Sequence, residues 1–157
     1  VRIHRLIPLY ALTALLVIAP LSYAADDPEQ AVIGNWLVQS RDGIIGITRA
    51  DDGTYQGRIV GGTDNTRLDT RNPDPAKRQN LLLGTVIMTG LRYSGHGEWT
   101  GGRVYDPDSG NSYHLHMQLV DDTHLRLRGY ILLPLFGRNE NWTRYTGTTM
   151  DLSKPVG

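Results

Sequence analysis

The chain contains no cysteine. Disulfide bonds are therefore excluded as a source of stability, and so is a lipid-modified cysteine as an anchor. Lysine is nearly missing as well: apart from Lys77 and Lys154, all 16 basic residues are arginine. Arginine's planar fork favours fixed partners such as carboxylates, phosphates or aromatic faces, so part of this set is expected to be structural. Net charge is lacking too, because 16 acidic residues balance the basic ones. Neither nucleic acid nor an anionic membrane is suggested by that balance, since both call for basic patches. Beyond residue 24 no stretch shows the 3.6-residue apolar period of an amphipathic helix.

Catalytic signatures are absent in the same way. Gly110-Asn111-Ser112-Tyr113-His114 begins like a nucleophile elbow, but the closing glycine is missing. Gly95-His96-Gly97 with Gly101-Gly102 has the wrong spacing for a dinucleotide loop. Asp69 with Asp74 is the one carboxylate pair that invites an acid–base reading. No catalytic residue and no cofactor are assigned, and the chain reads as a non-enzyme.

What is present begins with a leader. Arg2, His4 and Arg5 form a basic start, Leu6 to Leu21 is mostly apolar, and Ser22-Tyr23-Ala24 supplies small residues for a peptidase. Pro8 and Pro20 bracket a run shorter than the roughly 20 residues a spanning helix needs. The expectation is a cleavable signal peptide over residues 1–24, a periplasmic or secreted location, and no stable membrane anchor after cleavage. Residues 25–157 are long enough to bury one core without staples, which makes a single domain the natural count.

Short β-prone runs then alternate with turn residues. Strands are expected over 36–40, 44–49, 54–60, 81–91, 98–105, 111–120, 124–130 and 142–148. Arg41-Asp42-Gly43, Asp51-Asp52-Gly53 and Asp121-Asp122-Thr123 supply tight turns. Connections this short leave no room for helical crossovers, so neighbours must be antiparallel. Tyr113, Leu115, Met117 and Leu119 fall on one face of their strand; Ser112, His114, His116 and Gln118 fall on the wet one. About eight antiparallel strands suit a closed up-and-down barrel, an all-β architecture without free edges. Residues 61–80 interrupt the rhythm as a long proline-containing loop.

The stretch Tyr105-Asp106-Pro107-Asp108-Ser109-Gly110-Asn111-Ser112-Tyr113 carries an unusual combination of turn and aromatic residues. With Arg128-Gly129-Tyr130, Phe136-Gly137-Arg138, Trp142-Thr143-Arg144, Asn72-Pro73-Asp74-Pro75 and Arg78, it resembles the bacterial exported family catalogued as domain of unknown function 2147. The resemblance spans nearly the whole chain after the leader and implies a lipocalin-like β-barrel. It assigns Tyr105, Asp106, Pro107, Gly110 and Tyr113 to a structural corner flanked by aromatics. Lipocalins are similar in a further respect: Gly34-x-Trp36 would place an indole under the barrel, stacked on Arg144 from the last strand. Such a cation–π contact is worth about 0.5–2 kcal/mol.

Two metal readings are weaker than their structural counterparts. Asp106-Pro107-Asp108-Ser109-Gly110 starts like a calcium loop, but Met117 stands where the bidentate acid is needed, so a hairpin turn is expected. His114-x-His116 offers two imidazoles, with His96 or His124 as a conceivable third ligand, but on the wet face. No metal site is assigned. The polar groups that remain are Asp69, Asn72, Asp74 and Arg78 on the long loop, with Tyr130, Arg138 and Trp142 near the last connection. Converging at one barrel mouth, they would bind the head of a small hydrophobic or amphipathic ligand. Leu81, Leu83, Val86, Tyr113, Leu115 and Met117 would form the wall. The same polar residues could instead tie the loop across the barrel as a lid. The alternative function is a protein-interaction or inhibitor module of the cell envelope that uses the 61–80 loop.

Overall fold

In the computed structural model, residues 27–133, 135 and 137–153 are described. The leader expected over residues 1–24, together with Pro134, Phe136 and Lys154, lies outside the described residues. Eight antiparallel strands close into one barrel in simple up-and-down order. They are β1 Gly34–Leu37, β2 Gly43–Arg49, β3 Tyr55–Gly62, β4 Val86–Gly95, β5 Glu98–Asp106, β6 Asn111–Asp121, β7 His124–Tyr130 and β8 Arg138–Arg144. Closure is made by β1 against β8, with Trp36 opposite Arg144 and Leu37 opposite Thr143. Among the described residues, no helix is long and apolar enough to cross a membrane.

The alternation expected for β6 is present: Leu115 and Met117 are buried, whereas His114 is exposed. The hairpin turns are locally specified. Asp52 accepts hydrogen bonds from the Thr54 amide at 2.9 Å and hydroxyl at 2.7 Å. Asp121 does the same for Thr123 and His124, and these bonds hold its carboxyl well below the usual range. Both turns lie at the same end of the barrel.

Three strands differ from expectation. β1 starts and ends earlier, because Val38 to Asp42 already forms the turn. β8 spans Arg138–Arg144 rather than 142–148. The largest correction concerns the apolar run at residues 81–91. β4 begins at Val86; Leu81 bridges Leu68 across the long loop, and Gly84 turns the chain at φ +87. Leu81 and Leu83 are consequently 49% and 39% exposed, and Leu82 is the buried member of the trio. Val86 is half-buried and stands opposite Arg58, so it opens the strand without reaching the core cluster.

The core fills the lower part of the barrel. Val32, Trp36, Ile47, Tyr55, Leu91, Trp99, Met117 and Leu125 pack there, all nearly or fully inaccessible. Tyr55 meets Trp99 edge to face at 5.9 Å, and Tyr93 lies 5.1 Å from the same indole. Arg144 plugs this end. Its guanidinium sits 4.2 Å over the Trp36 ring and donates to the carbonyls of Ile33 at 3.1 Å and Ala31 at 2.6 Å. Trp36 in turn donates its indole N–H to the Val32 carbonyl at 2.9 Å. One arginine therefore fixes the segment that caps the barrel floor, and its remaining N–H groups find carbonyls rather than solvent.

Candidate functional site

The opposite end of the barrel is open. A cavity of about 690 Å³ is bounded by Ile45, Ile59, Leu82, Ile87, Val104 and Leu115, with Leu127 and Trp142 on the far wall. That size is within the ~300–1,000 Å³ common for small-molecule pockets. The rim comes from the β1–β2 turn around Asp42, the start of the long loop at residues 61–67, the β5–β6 turn and the β7–β8 connection.

β8 gives the cavity its polarity. Register sets Arg138 opposite Gly129, Glu140 opposite Leu127 and Trp142 opposite Leu125, so all three point to the same inner face. Trp142 is buried and donates its indole N–H to the Glu140 carboxylate at 2.9 Å. Arg144 continues this row to the barrel floor. An inner face made of Arg, Glu, Trp and Arg has no apolar alternation, which is why the sequence hides most of this strand.

The charges around the cavity are nearly all engaged. Asp42 is bonded by Ser40, Asp64 by Thr66, Asp106 by Ser109 and the Asp108 amide, and Arg67 pairs with Asp108. Arg138 differs: among the described residues it has no hydrogen-bond or ion-pair partner, and it is exposed at the cavity. An unpaired guanidinium beside an apolar wall offers a ready fork to a carboxylate, sulfonate or phosphate.

The long loop is held by its own side chains. Asp69 is buried and accepts from the Tyr105 hydroxyl at 2.6 Å and the Asn72 amide at 2.6 Å. Burial and the Asp69 carboxylate push the Tyr105 phenol up to about 12. Asn72 accepts from the Asp74 amide, Asp74 caps the 3-10 turn Pro75–Lys77, and Arg78 donates to the Asn72 carbonyl at 2.9 Å. Gly110 joins loop to hairpin: at φ +75, any Cβ there would collide with the Arg71 carbonyl.

The residues singled out in the sequence therefore separate into groups. Tyr113, Arg138 and Trp142 line the cavity, as does Tyr130 at its rim, although its ring stacks 5.4 Å from His114 on the outer strand face. Asp69, Asn72, Asp74 and Arg78 lie outside the lining and bond to one another and to Tyr105. Gly34, Trp36 and Arg144 build the floor, while Asp106 and Gly110 build the β5–β6 turn. Glu140 and Ile87 were missed; Glu140 was recoverable from its two-residue spacing to Arg138 and Trp142. Of the wall residues read from sequence, Tyr113, Leu115 and Leu83 touch the cavity, but Leu81, Val86 and Met117 do not.

Comparison with curated proteins finds no match. Among solved structures, the chain is similar to a protein from the human pathogen Helicobacter pylori described as belonging to the lipocalin family. The TM-score is 0.67 at 18% identity, covering 73% of this chain and 82% of the other. That likeness establishes the fold: a lipocalin-like barrel. The model of the bacterial family described as "Uncharacterized protein conserved in bacteria" (domain of unknown function 2147) matches residues 34–144, from the first residue of β1 to the last of β8, and the chain belongs to that family.

Proposed function

We propose that the protein is an exported, non-enzymatic carrier that holds a small amphipathic molecule in its barrel, apolar part inward and anionic head on Arg138. The observation that supports this reading most is the pairing pattern around the cavity. Among the described residues every other charge lining it has a local partner, whereas Arg138, beside an apolar wall, has none. Tyr113 and Trp142 would flank the ligand. The location belongs to the same proposal and rests on the leader pattern of residues 1–24. An intact mass starting at Ala25 after expression in a bacterial host is its direct check.

The test of binding uses a dansylated fatty acid and its methyl ester, titrated by fluorescence. Wild type should bind the acid more tightly than the ester. Arg138→Ala should weaken the acid about tenfold or more, the range of a lost charge-assisted hydrogen bond, and leave the ester nearly unchanged. Equal binding of the acid by both proteins would remove Arg138 from the reading. No binding of either probe would favour the interaction module.

A further inference from the structure

Among the described residues of the connection between β7 and β8, the large apolar side chains turn outward. Ile131, Leu132, Leu133 and Leu135 are 66%, 85%, 57% and 79% exposed, a cluster that water disfavours and that soluble surfaces rarely keep without use. Ile131 also lines the cavity rim, so the patch adjoins the open end. Arg128 fixes the connection from below, donating to the Leu135 carbonyl at 3.2 Å and to Asn139 at 2.6 Å.

The strand faces beneath the patch are basic. Register places Arg103, His114 and Tyr130 in one outer row. His116 and Arg128 form the next row, and Gln118 with Arg126 the one after. Glu98 is the carboxylate on this outer face, and it lies 3.7 Å from His116. Branched aliphatics occupy the tip, the first row below holds the Tyr130 ring with His114 and Arg103, and Arg128 and then Arg126 follow at steps of about 7 Å along the strand. This is the layering of a membrane interface, where aliphatic groups enter the acyl region, aromatics sit at the headgroup level and cations meet lipid phosphates. Among the described residues of the connection the exposed groups are four branched aliphatics, whereas a protein partner is more commonly met by aromatic anchors. The chain's zero net charge concealed this face, because the acidic residues collect in the turns and the long loop.

We propose that Ile131, Leu132, Leu133 and Leu135, together with the basic outer face of β5–β8, dock the barrel by that side on an anionic lipid bilayer. The insertion is shallow and reversible, since four aliphatic side chains bury far less than a spanning segment. The proposal stands whether or not the cavity holds a ligand; with one, docking would bring the cavity rim to the lipid surface.

Because the barrel closes within Gly34–Arg144, a chain beginning at Ala25 keeps the fold and removes the apolar leader run from the assay. That chain would be sedimented with phosphatidylcholine vesicles containing phosphatidylglycerol, and with vesicles of phosphatidylcholine alone. Stronger binding to the anionic vesicles, weakened by salt, is expected. Leu132→Asp should reduce it about tenfold or more, and Arg126→Glu should reduce it on anionic vesicles alone. Leu132 is the most exposed of the cluster, so the variant keeps the wild-type melting temperature. Failure to bind either vesicle, or equal binding by Leu132→Asp and wild type, would overturn the proposal.

Discussion

The two ends of the barrel use arginine in opposite ways. At the floor, Arg144 is covered by Trp36 and bonded to the carbonyls of Ile33 and Ala31. At the mouth, Arg138 lies on the same inner face of the same strand and has no partner among the described residues. Five residues of β8 separate a cation that completes the fold from one that, among the described residues, is left unpaired. Aromatics follow the same division: Trp36, Tyr55 and Trp99 pack into a solid floor, whereas Tyr113 and Trp142 border open space. A closed barrel needs a packed end to be stable, and it can then leave the other end hollow.

The largest effect should come from the floor. Trp36→Ala removes a fully buried indole and the surface on which Arg144 rests, at a cost of about 3–5 kcal/mol. Urea unfolding measures it directly, and an unchanged midpoint would erase the distinction between the ends. Next comes the tie between loop and hairpin. Tyr105→Phe leaves the buried Asp69 with one fewer donor and should cost about 1–3 kcal/mol.

That cost carries a pH signature. The folded phenol titrates at about 12, above its ordinary value near 10. Folding therefore favours the neutral phenol, whose contribution is complete below about pH 10 and is lost as pH rises through the folded value. The stability gap between wild type and Tyr105→Phe should narrow from about pH 10 upward.

Effects at the mouth should be small in stability and large in binding. Arg138→Ala should shift unfolding by no more than about 0.5 kcal/mol. The smallest effect on binding is expected for Arg78→Ala. It removes one exposed bond to the Asn72 carbonyl, worth about 0.5–1.5 kcal/mol, and leaves probe binding unchanged, because Arg78 lies outside the cavity. If Arg78→Ala weakened binding as much as Arg138→Ala, the boundary of the site would have to be redrawn around the long loop.

Much of this division was legible in the residues, though unevenly. β2, β3 and β5 to β7 announce themselves through alternation and Asp-containing turns, since the period of two is imposed by one buried face. β4 was misplaced because Leu81-Leu82-Leu83 is as apolar as any core strand. Only the turn at Gly84 and the Leu68–Leu81 bridge remove Leu81 from the barrel. β8 was shifted because its inner face is largely polar and Asn139-Glu140-Asn141 has little strand propensity. The mouth was half legible: Arg138, Tyr113 and Trp142 meet there, whereas Asp69, Asn72, Asp74 and Arg78 make a self-bonded loop. Local side-chain bonds of that kind depend on chain reversal, which periodicity does not encode. The exposure of Ile131, Leu132, Leu133 and Leu135 was not legible, since apolar composition alone cannot tell a core from a surface in contact with something else.

The most direct measurement is native mass spectrometry of wild type and Arg138→Ala purified gently from the cells that make them, followed by organic extraction. A near-stoichiometric anionic amphipath on wild type, depleted in Arg138→Ala, is the expected result. An identical adduct on both proteins, or a bare mass for wild type together with no uptake of the dansylated acid, would contradict a ligand site at the open end.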